Sequence, residues 1–433
     1  MNSANMTPPA ANMDTAKGIA WRRRLVMLLA TSLALFVAAS GWRLGMEGPA
    51  QSSQAVAAAG QDPLLAWQER IRRTPEDADA YAGLGLALLQ RVRESHDTSL
   101  YAQAGEAFDA ALARDPQQID ALAGSGALAL ALHDFTGALQ IAGEVIALNP
   151  YKAAGYGIRV DALVELGRYA EAVIALQQMV DLRPDLESYS RVSYLRELHG
   201  DSEGALEAMR MAANTAVRGT EPWLWTTTQL GNLAWGQGRL DEAELFYRAV
   251  LQQRADAPFA QFGLARLAAA RGRHDQALAI LKPLAARLPM PEFLIALGDL
   301  YAGQGQPRRA QEQYDLVAAI QRLNAGSGMN VDLELAVFDV VHGDDAGRGL
   351  AAARAAYAAR PTIYAADALA WALHRNGDDV AAWRYSQEAL RLGTRDPLLH
   401  AHAAAIADSL GDAVAAEKHW AEEDNINRHH SPW

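Results

Sequence analysis

The sequence contains no cysteine among its 433 residues. This absence excludes a disulfide framework, a cysteine-based zinc site, an iron–sulfur cluster and a thiol nucleophile. Positive charge is also scarce, because 39 lysines and arginines face 51 aspartates and glutamates, for a formal net charge of −12. A general nucleic-acid-binding protein needs a basic face, so we expect no nucleic-acid partner.

Catalytic signatures are missing as well. The sequence has no P-loop, HExxH, GxSxG or kinase motif, which are the patterns that hold phosphates, metals or nucleophiles in reactive geometry. Five of the eleven histidines lie in the last 34 residues: His400, His402, His419, His429 and His430. A polar end cap accounts for them, and metal binding is the alternative. We therefore predict a non-enzymatic protein with no cofactor and no assigned metal ligands.

Long apolar runs are limited to one uncharged stretch, Leu25–Ser40, which follows Arg22–Arg24. Trp21 and Trp42 bracket this stretch, and the distance between them is roughly 33 Å in a helix, enough to span a bilayer core of about 30 Å. The alternative is a cleaved signal peptide, since Ala38–Ser40 resembles a small-residue cleavage site. Both interpretations place the rest of the chain beyond a bacterial inner membrane, on the periplasmic side.

These patterns divide the chain into five predicted segments. They are a disordered tail at 1–20, a transmembrane anchor or signal segment at 21–43, a small-residue linker at 44–62, the main domain at 63–423 and a His-rich tail at 424–433.

The main domain is periodic. Pro116, Pro150 and Pro184 are each 34 residues apart. Glycines recur at intervals of 33 to 38 residues at positions 167, 200, 238, 272, 305, 343, 377 and 411. Within each period two apolar stripes have helical spacing, with Gly ending the first helix and Pro following the second. The sequence thus predicts an array of helix pairs.

The residues at fixed positions of this period resemble those of the tetratricopeptide repeat family. Two matching sets are Leu84, Gly85, Leu88, Ala104, Phe108, Ala111 and Pro116, and Leu264, Ala265, Ala268, Ala277, Leu281, Leu284 and Pro289. The resemblance implies an all-α, right-handed superhelical solenoid of about ten repeats. The period is broken by about seven inserted residues near Arg91–Thr98, and by longer connections near Asn214–Trp223 and Leu323–Val331.

The resemblance also implies a concave groove lined by first-helix positions, which binds a segment of a protein partner. The predicted groove residues are Arg191, Trp225, Asn232, Trp235, Phe259, Phe262, Arg266 and Asp299. Aromatic rings beside arginines are typical of protein-recognition hot spots, although the same rings could pack between repeats. The carboxylate clamp of one subclass is not expected, because Thr228, Phe259 and Gly263 supply no cation at its positions.

The sequence therefore predicts a non-enzymatic scaffold or adaptor of the bacterial cell envelope. It would be held in the membrane by its N-terminal helix and bind an unidentified envelope protein in the groove. The alternative is an accessory docking subunit of an envelope enzyme or of a transport or secretion complex, which the C-terminal histidines could make metal-responsive.

Overall fold

The computed structural model describes residues 62–326, 332–343 and 345–430, which form twenty-one helices and no strand. Helix α1 (Pro63–Arg73) precedes ten consecutive helix pairs. The first helices of the pairs are α2 (Ala78–Ser95), α4 (Ile119–Ala131), α6 (Ala153–Glu165), α8 (Leu186–Leu198), α10 (Glu221–Gly236), α12 (Pro258–Ala270), α14 (Pro291–Gly303), α16 (Asp332–His342), α18 (Ile363–Arg375) and α20 (Pro397–Ser409). The second helices are α3 (Leu100–Arg114), α5 (Phe135–Leu148), α7 (Tyr169–Leu182), α9 (Ser202–Thr215), α11 (Leu240–Gln253), α13 (His274–Arg287), α15 (Pro307–Gly326), α17 (Ala346–Ala359), α19 (Asp379–Ala389) and α21 (Ala413–Asn427). The all-α class is confirmed, and ten pairs match the predicted count of about ten repeats.

The turn inside each repeat uses a left-handed residue. Glycines 167, 200, 238, 272, 305, 377 and 411 have φ between +67° and +80°, a conformation that glycine adopts without steric cost. The first two repeats instead have His96 and His133 at this point, each with φ of 60°. Aspartate side chains begin many of the helices, as where Asp134 accepts a hydrogen bond from the backbone N–H of Gly137.

Small residues set the distance between paired helices. A side chain at Gly231 would place its Cβ 2.5 Å from the ring of Tyr247. Ala243 and Ala277 are fully buried at the corresponding second-helix position. Larger side chains at these points would force the helix axes apart, so the period of small residues in the sequence reflects close packing.

The repeats wind tightly enough for successive superhelical turns to touch. The backbone N–H of Ile363 donates to the hydroxyl of Tyr169 at 3.0 Å, and the Asn427 amide donates to the carbonyl of Trp235 at 2.6 Å. The Thr394 hydroxyl donates to the carbonyl of Leu198. These pairs are 192 to 196 residues apart, so one turn contains between five and six repeats of the 34-residue period.

We call this turn-to-turn contact the seam. It joins the first edge of the ribbon, made by the turns inside repeats, to the second edge, made by the loops between repeats. The seam includes a buried charged group, in which Arg360 lies 3.5 Å from a Glu165 oxygen and 3.9 Å from a Glu334 oxygen. The same guanidinium lies 4.9 Å from the ring centroid of Phe135.

The predicted location at a bacterial inner membrane must be corrected. In the part of the chain that the structure describes, no helix is both long and apolar enough to cross a bilayer. The longest helix, α15, has 20 residues and carries charges such as Arg308 and Glu312. The predicted tail 1–20, the anchor or signal segment 21–43 and nearly all of the linker 44–62 lie outside the described residues.

The C-terminal residues pack against the fifth repeat. Helix α21 continues to Asn427, through residues for which the sequence predicts a tail. Asn427 and Ile426 are each 2% exposed, and the carbonyl of Ile426 lies 3.1 Å from a Cβ built at Gly238. This end of the chain therefore forms the last contact of the seam.

Candidate functional site

Most of the predicted groove residues are buried. Asn232 and Phe259 are half-buried, whereas the other six are under one-tenth exposed. These six are Arg191, Trp225, Trp235, Phe262, Arg266 and Asp299. In an open superhelix such first-helix positions would face a ligand, but here they pack against neighbouring repeats.

Arg191 is held by a carboxylate of the preceding repeat. Its Nε and Nη2 donate to the two carboxylate oxygens of Asp161 at 2.9 and 2.7 Å. Its Nη1 donates to the backbone carbonyl of Glu187 at 2.9 Å. A bidentate pair of this kind fixes the geometry of both side chains, so Arg191 acts between repeats.

Arg266 lies between two predicted groove aromatics. Its guanidinium carbon is 5.1 Å from the ring centroids of both Trp235 and Phe262, within cation–π distance. Its Nη2 donates to the Asn232 side-chain oxygen at 2.8 Å and to the Tyr247 hydroxyl at 3.0 Å. Phe262 is fully buried, so this group forms core between the fifth and sixth repeats.

Asp299 is a buried acid beside a tyrosine. The Tyr314 hydroxyl donates to its Oδ1 at 2.7 Å, and Nδ1 of His342 lies 3.8 Å from the same oxygen. Burial raises the pKa of Asp299 to about 8, against the opposing effect of the Tyr314 hydrogen bond. Asp299 is therefore largely protonated at neutral pH and supplies no negative charge to a partner.

The remaining three predicted residues meet at one cavity. Trp225, Asn232 and Phe259 line a space of about 270 Å³. It is bounded by the end of α2, by α10, by the end of α11 and by the start of α12. The ring of Phe259 lies 5.9 Å from that of His96, an edge-to-face contact that joins the first repeat to the sixth.

Charged residues of both signs surround the cavity: Arg93, Arg254 and Arg287 with Glu94, Glu221 and Asp256. Burial raises the pKa of Glu221. Burial lowers the pKa of His96, and the charges of Arg254 and Arg287 add to that effect. His96 is therefore neutral at physiological pH.

Trp225 is a wall residue of the cavity whose indole N–H is buried. The residue is 7% exposed, and its Nε1–H has no hydrogen-bond partner among the described residues. A buried donor without an acceptor is costly. The cavity thus combines aromatic surface with a charged rim.

Sequence reasoning missed the residues that the first repeat contributes. Arg93 and His96 lie in the stretch near Arg91–Thr98 that interrupts the period, and Glu221 lies in the longer Asn214–Trp223 connection. Groove positions taken from the consensus contain none of these. The signal that could have found them is the interruption itself, because both irregular segments border the cavity.

The C-terminal histidines are largely paired within the fold. His402 is buried, with Nδ1 2.9 Å from Oδ2 of Asp367, and it stacks on Trp371. Nδ1 atoms of His400 and His419 are 3.0 Å apart. In the described residues no three His, Cys, Asp or Glu side chains are arranged to hold a metal ion.

The paired helices, the left-handed turns and the small-residue contacts define a helical repeat protein. Two models of the tetratricopeptide repeat match the sequence, one over residues 124–187 and one over residues 234–293. The chain therefore contains tetratricopeptide repeats in these two regions. No curated protein matches its sequence.

Solved structures with similar folds are distant in sequence. The human IFIT1 dimer with PPP-AAAA is 18% identical, with 73% of each chain covered and a TM-score of 0.48. TTC0263, a thermophilic tetratricopeptide repeat protein of Thermus thermophilus, is 21% identical, with a TM-score of 0.37. That match covers 45% of this chain and 99% of the other.

Proposed function

We propose that the protein is a non-enzymatic scaffold that captures a protein partner by inserting an apolar side chain of the partner into the Trp225–Phe259 cavity. The observation that supports this most strongly is the position of the cavity. It lies where two segments that break the repeat period, near residues 91–98 and 214–223, come together. Regular repeats build the frame, and departures from them are where binding residues concentrate.

The dimensions suit a single side chain. A volume of about 270 Å³ lies at the lower limit of the roughly 300–1,000 Å³ of small-molecule pockets. Trp225 and Phe259 offer aromatic surface. An aromatic pocket surrounded by a charged rim is typical of protein interfaces.

The test is site-specific photo-crosslinking in the full chain, with the probe at position 259. We expect discrete protein adducts, which mass spectrometry identifies and nuclease leaves unchanged. The control places the same probe at Leu245, which is 71% exposed on the outer side of α11. Equal adducts at both positions, no adduct at 259, or a nuclease-sensitive adduct would each contradict the proposal.

The alternative role as a dedicated docking subunit differs in stoichiometry. A scaffold for several clients would crosslink to more than one protein, each bound in the micromolar range. One partner that co-purifies at equal stoichiometry would favour the docking subunit.

A further inference from the structure

The seam uses only part of each edge of the ribbon. At Gly167, a Cβ would lie 2.5 Å from the carbonyl oxygen of Pro361 in the next turn, and at Gly238 one would lie 3.1 Å from that of Ile426. At the equivalent glycines of later repeats, nothing in the described residues lies within 4 Å. Those glycines are Gly272, Gly305, Gly377 and Gly411. With respect to the described residues, the first edge is therefore open along these repeats.

The second edge is open in the early repeats. Tyr151, in the loop between α5 and α6, is 80% exposed, and Val217, between α9 and α10, is 72% exposed. The corresponding loops of late repeats, such as residues 360–363 and 393–395, are docked in the seam. Within this chain, the seam pairs a segment of the first edge with a segment of the second edge. The two open edges are therefore one of each kind.

Exposed apolar side chains are present on both open edges. Val414 is 81% and Val380 is 75% exposed. They lie in the first turns of α21 and α19, directly after turns of the open first edge. With Tyr151 and Val217, they are the four most exposed large apolar side chains among the described residues. Two lie on each open edge, and Leu245 on α11 is almost as exposed, at 71%.

The charges beside these side chains are of opposite sign. Asp378 and Asp412 precede Val380 and Val414 by two residues, and both aspartates are exposed. Arg218 follows Val217 and is exposed. The carboxylates nearest Val380 and Val414 thus complement the guanidinium nearest Val217, while exposed Arg273, Arg308 and Arg309 also lie along the open first edge.

We propose that the partner of these edges is a second copy of this chain, which docks its open second edge on the open first edge of its neighbour and so continues the seam between molecules. The contact is heterologous, because the two surfaces differ. Such contacts produce rings or linear chains of molecules instead of closed twofold dimers. This inference is independent of the proposed cavity function.

The test measures self-association of the full chain by sedimentation velocity between about 1 and 100 µM, the range of weak protein contacts. We expect reversible growth beyond the monomer that weakens as salt increases. Two variants each disable one edge: Val380→Glu with Val414→Glu, and Tyr151→Glu with Val217→Glu. We expect each to weaken association at least about tenfold. The matched control, Ile174→Glu with Leu245→Glu, changes exposed apolar residues on the outer faces of α7 and α11 and should associate as the unchanged chain does.

Mixing the two edge variants tests whether the first edge of one molecule binds the second edge of another. Each edge variant alone retains one intact edge without an intact complement, whereas an equal mixture contains one matching pair. We expect the mixture to form a one-to-one heterodimer and nothing larger. The proposal is overturned if the unchanged chain stays monomeric, if both edge variants associate as strongly as the control, or if the mixture remains monomeric.

Discussion

The backbone N–H of Ile363 donates a 3.0 Å hydrogen bond to the hydroxyl oxygen of Tyr169, 194 residues earlier in the chain. Both residues are buried, and the bond joins the first turn of α7 to the first residue of α18. Because Ile363 begins a helix, its N–H has no partner within that helix. The seam therefore supplies a hydrogen bond that the repeat itself cannot.

This bond predicts the cost of removing one hydroxyl. Tyr169→Phe keeps the ring and leaves the N–H of Ile363 buried without an acceptor, so the free energy of unfolding should fall by about 1–3 kcal/mol. Urea unfolding followed by circular dichroism measures it. The control is Tyr151→Phe, whose ring is 80% exposed and whose change should be close to zero. Equal stability of the two variants would show that successive turns do not touch at Tyr169.

Substitutions at two glycines distinguish the stability contributed by the seam from the stability that depends on the left-handed turn. Gly167 and Gly272 both have φ of +72°, but only Gly167 faces a carbonyl of the next turn. Gly272→Ala should cost about 1–2 kcal/mol for the left-handed backbone alone. Gly167→Ala should add a further 1–3 kcal/mol, roughly, for overpacking against Pro361. Urea midpoints of the two variants give the difference, and an absent difference would place that loop away from Gly167.

The repeat architecture was predictable because it is local. Glycine at each internal turn and small residues such as Ala243 and Ala277 at each helix contact recur with a fixed period. Each one answers a requirement within a single repeat or between neighbours. The same logic predicted the second helices' buried stripes and the number of helix pairs.

The burial of the groove residues was not predictable in this way. Whether a first-helix side chain faces an open groove or packs against a neighbouring repeat depends on small rotations between repeats, and no single residue specifies them. Arg191 and Asp161 are 30 residues apart in the sequence. The sequence shows only that their charges are opposite and does not indicate that they pair. Consensus positions thus identified Trp225, Asn232 and Phe259 at the cavity and missed Arg93 and His96.

Buried Asp299 makes stability depend on pH in a defined direction. Its pKa is about 8 in the folded chain and about 3.9 in an unfolded chain, so between these values only the folded form keeps the proton. Stability should therefore fall as pH rises through this window, by roughly 1 kcal/mol per pH unit. His342, whose pKa burial lowers to about 3, acts oppositely but only below its unfolded pKa of about 6.5.

Asp299→Asn isolates this effect. The amide oxygen can still accept from the Tyr314 hydroxyl and cannot ionise, so the variant should lose less stability than the unchanged chain between pH 6.5 and 8. Urea unfolding at several pH values measures the two slopes. Parallel slopes would show that Asp299 is ionised in the folded protein.

Phe259 and Phe262 lie about one helical turn apart on α12. Substitutions at the two positions should distinguish a loss of partner binding from a loss of stability. Phe262 is fully buried with its ring centroid 5.1 Å from that of Phe293, so Phe262→Ala should cost about 3–5 kcal/mol of stability. Phe259 is half-buried at the cavity, so Phe259→Ala should leave more of the stability intact while weakening capture of the crosslinked partner. Thermal unfolding and partner titration on the same two variants give both quantities. Unchanged partner binding by Phe259→Ala would contradict the proposal, in which Phe259 and Trp225 supply the aromatic surface of the cavity.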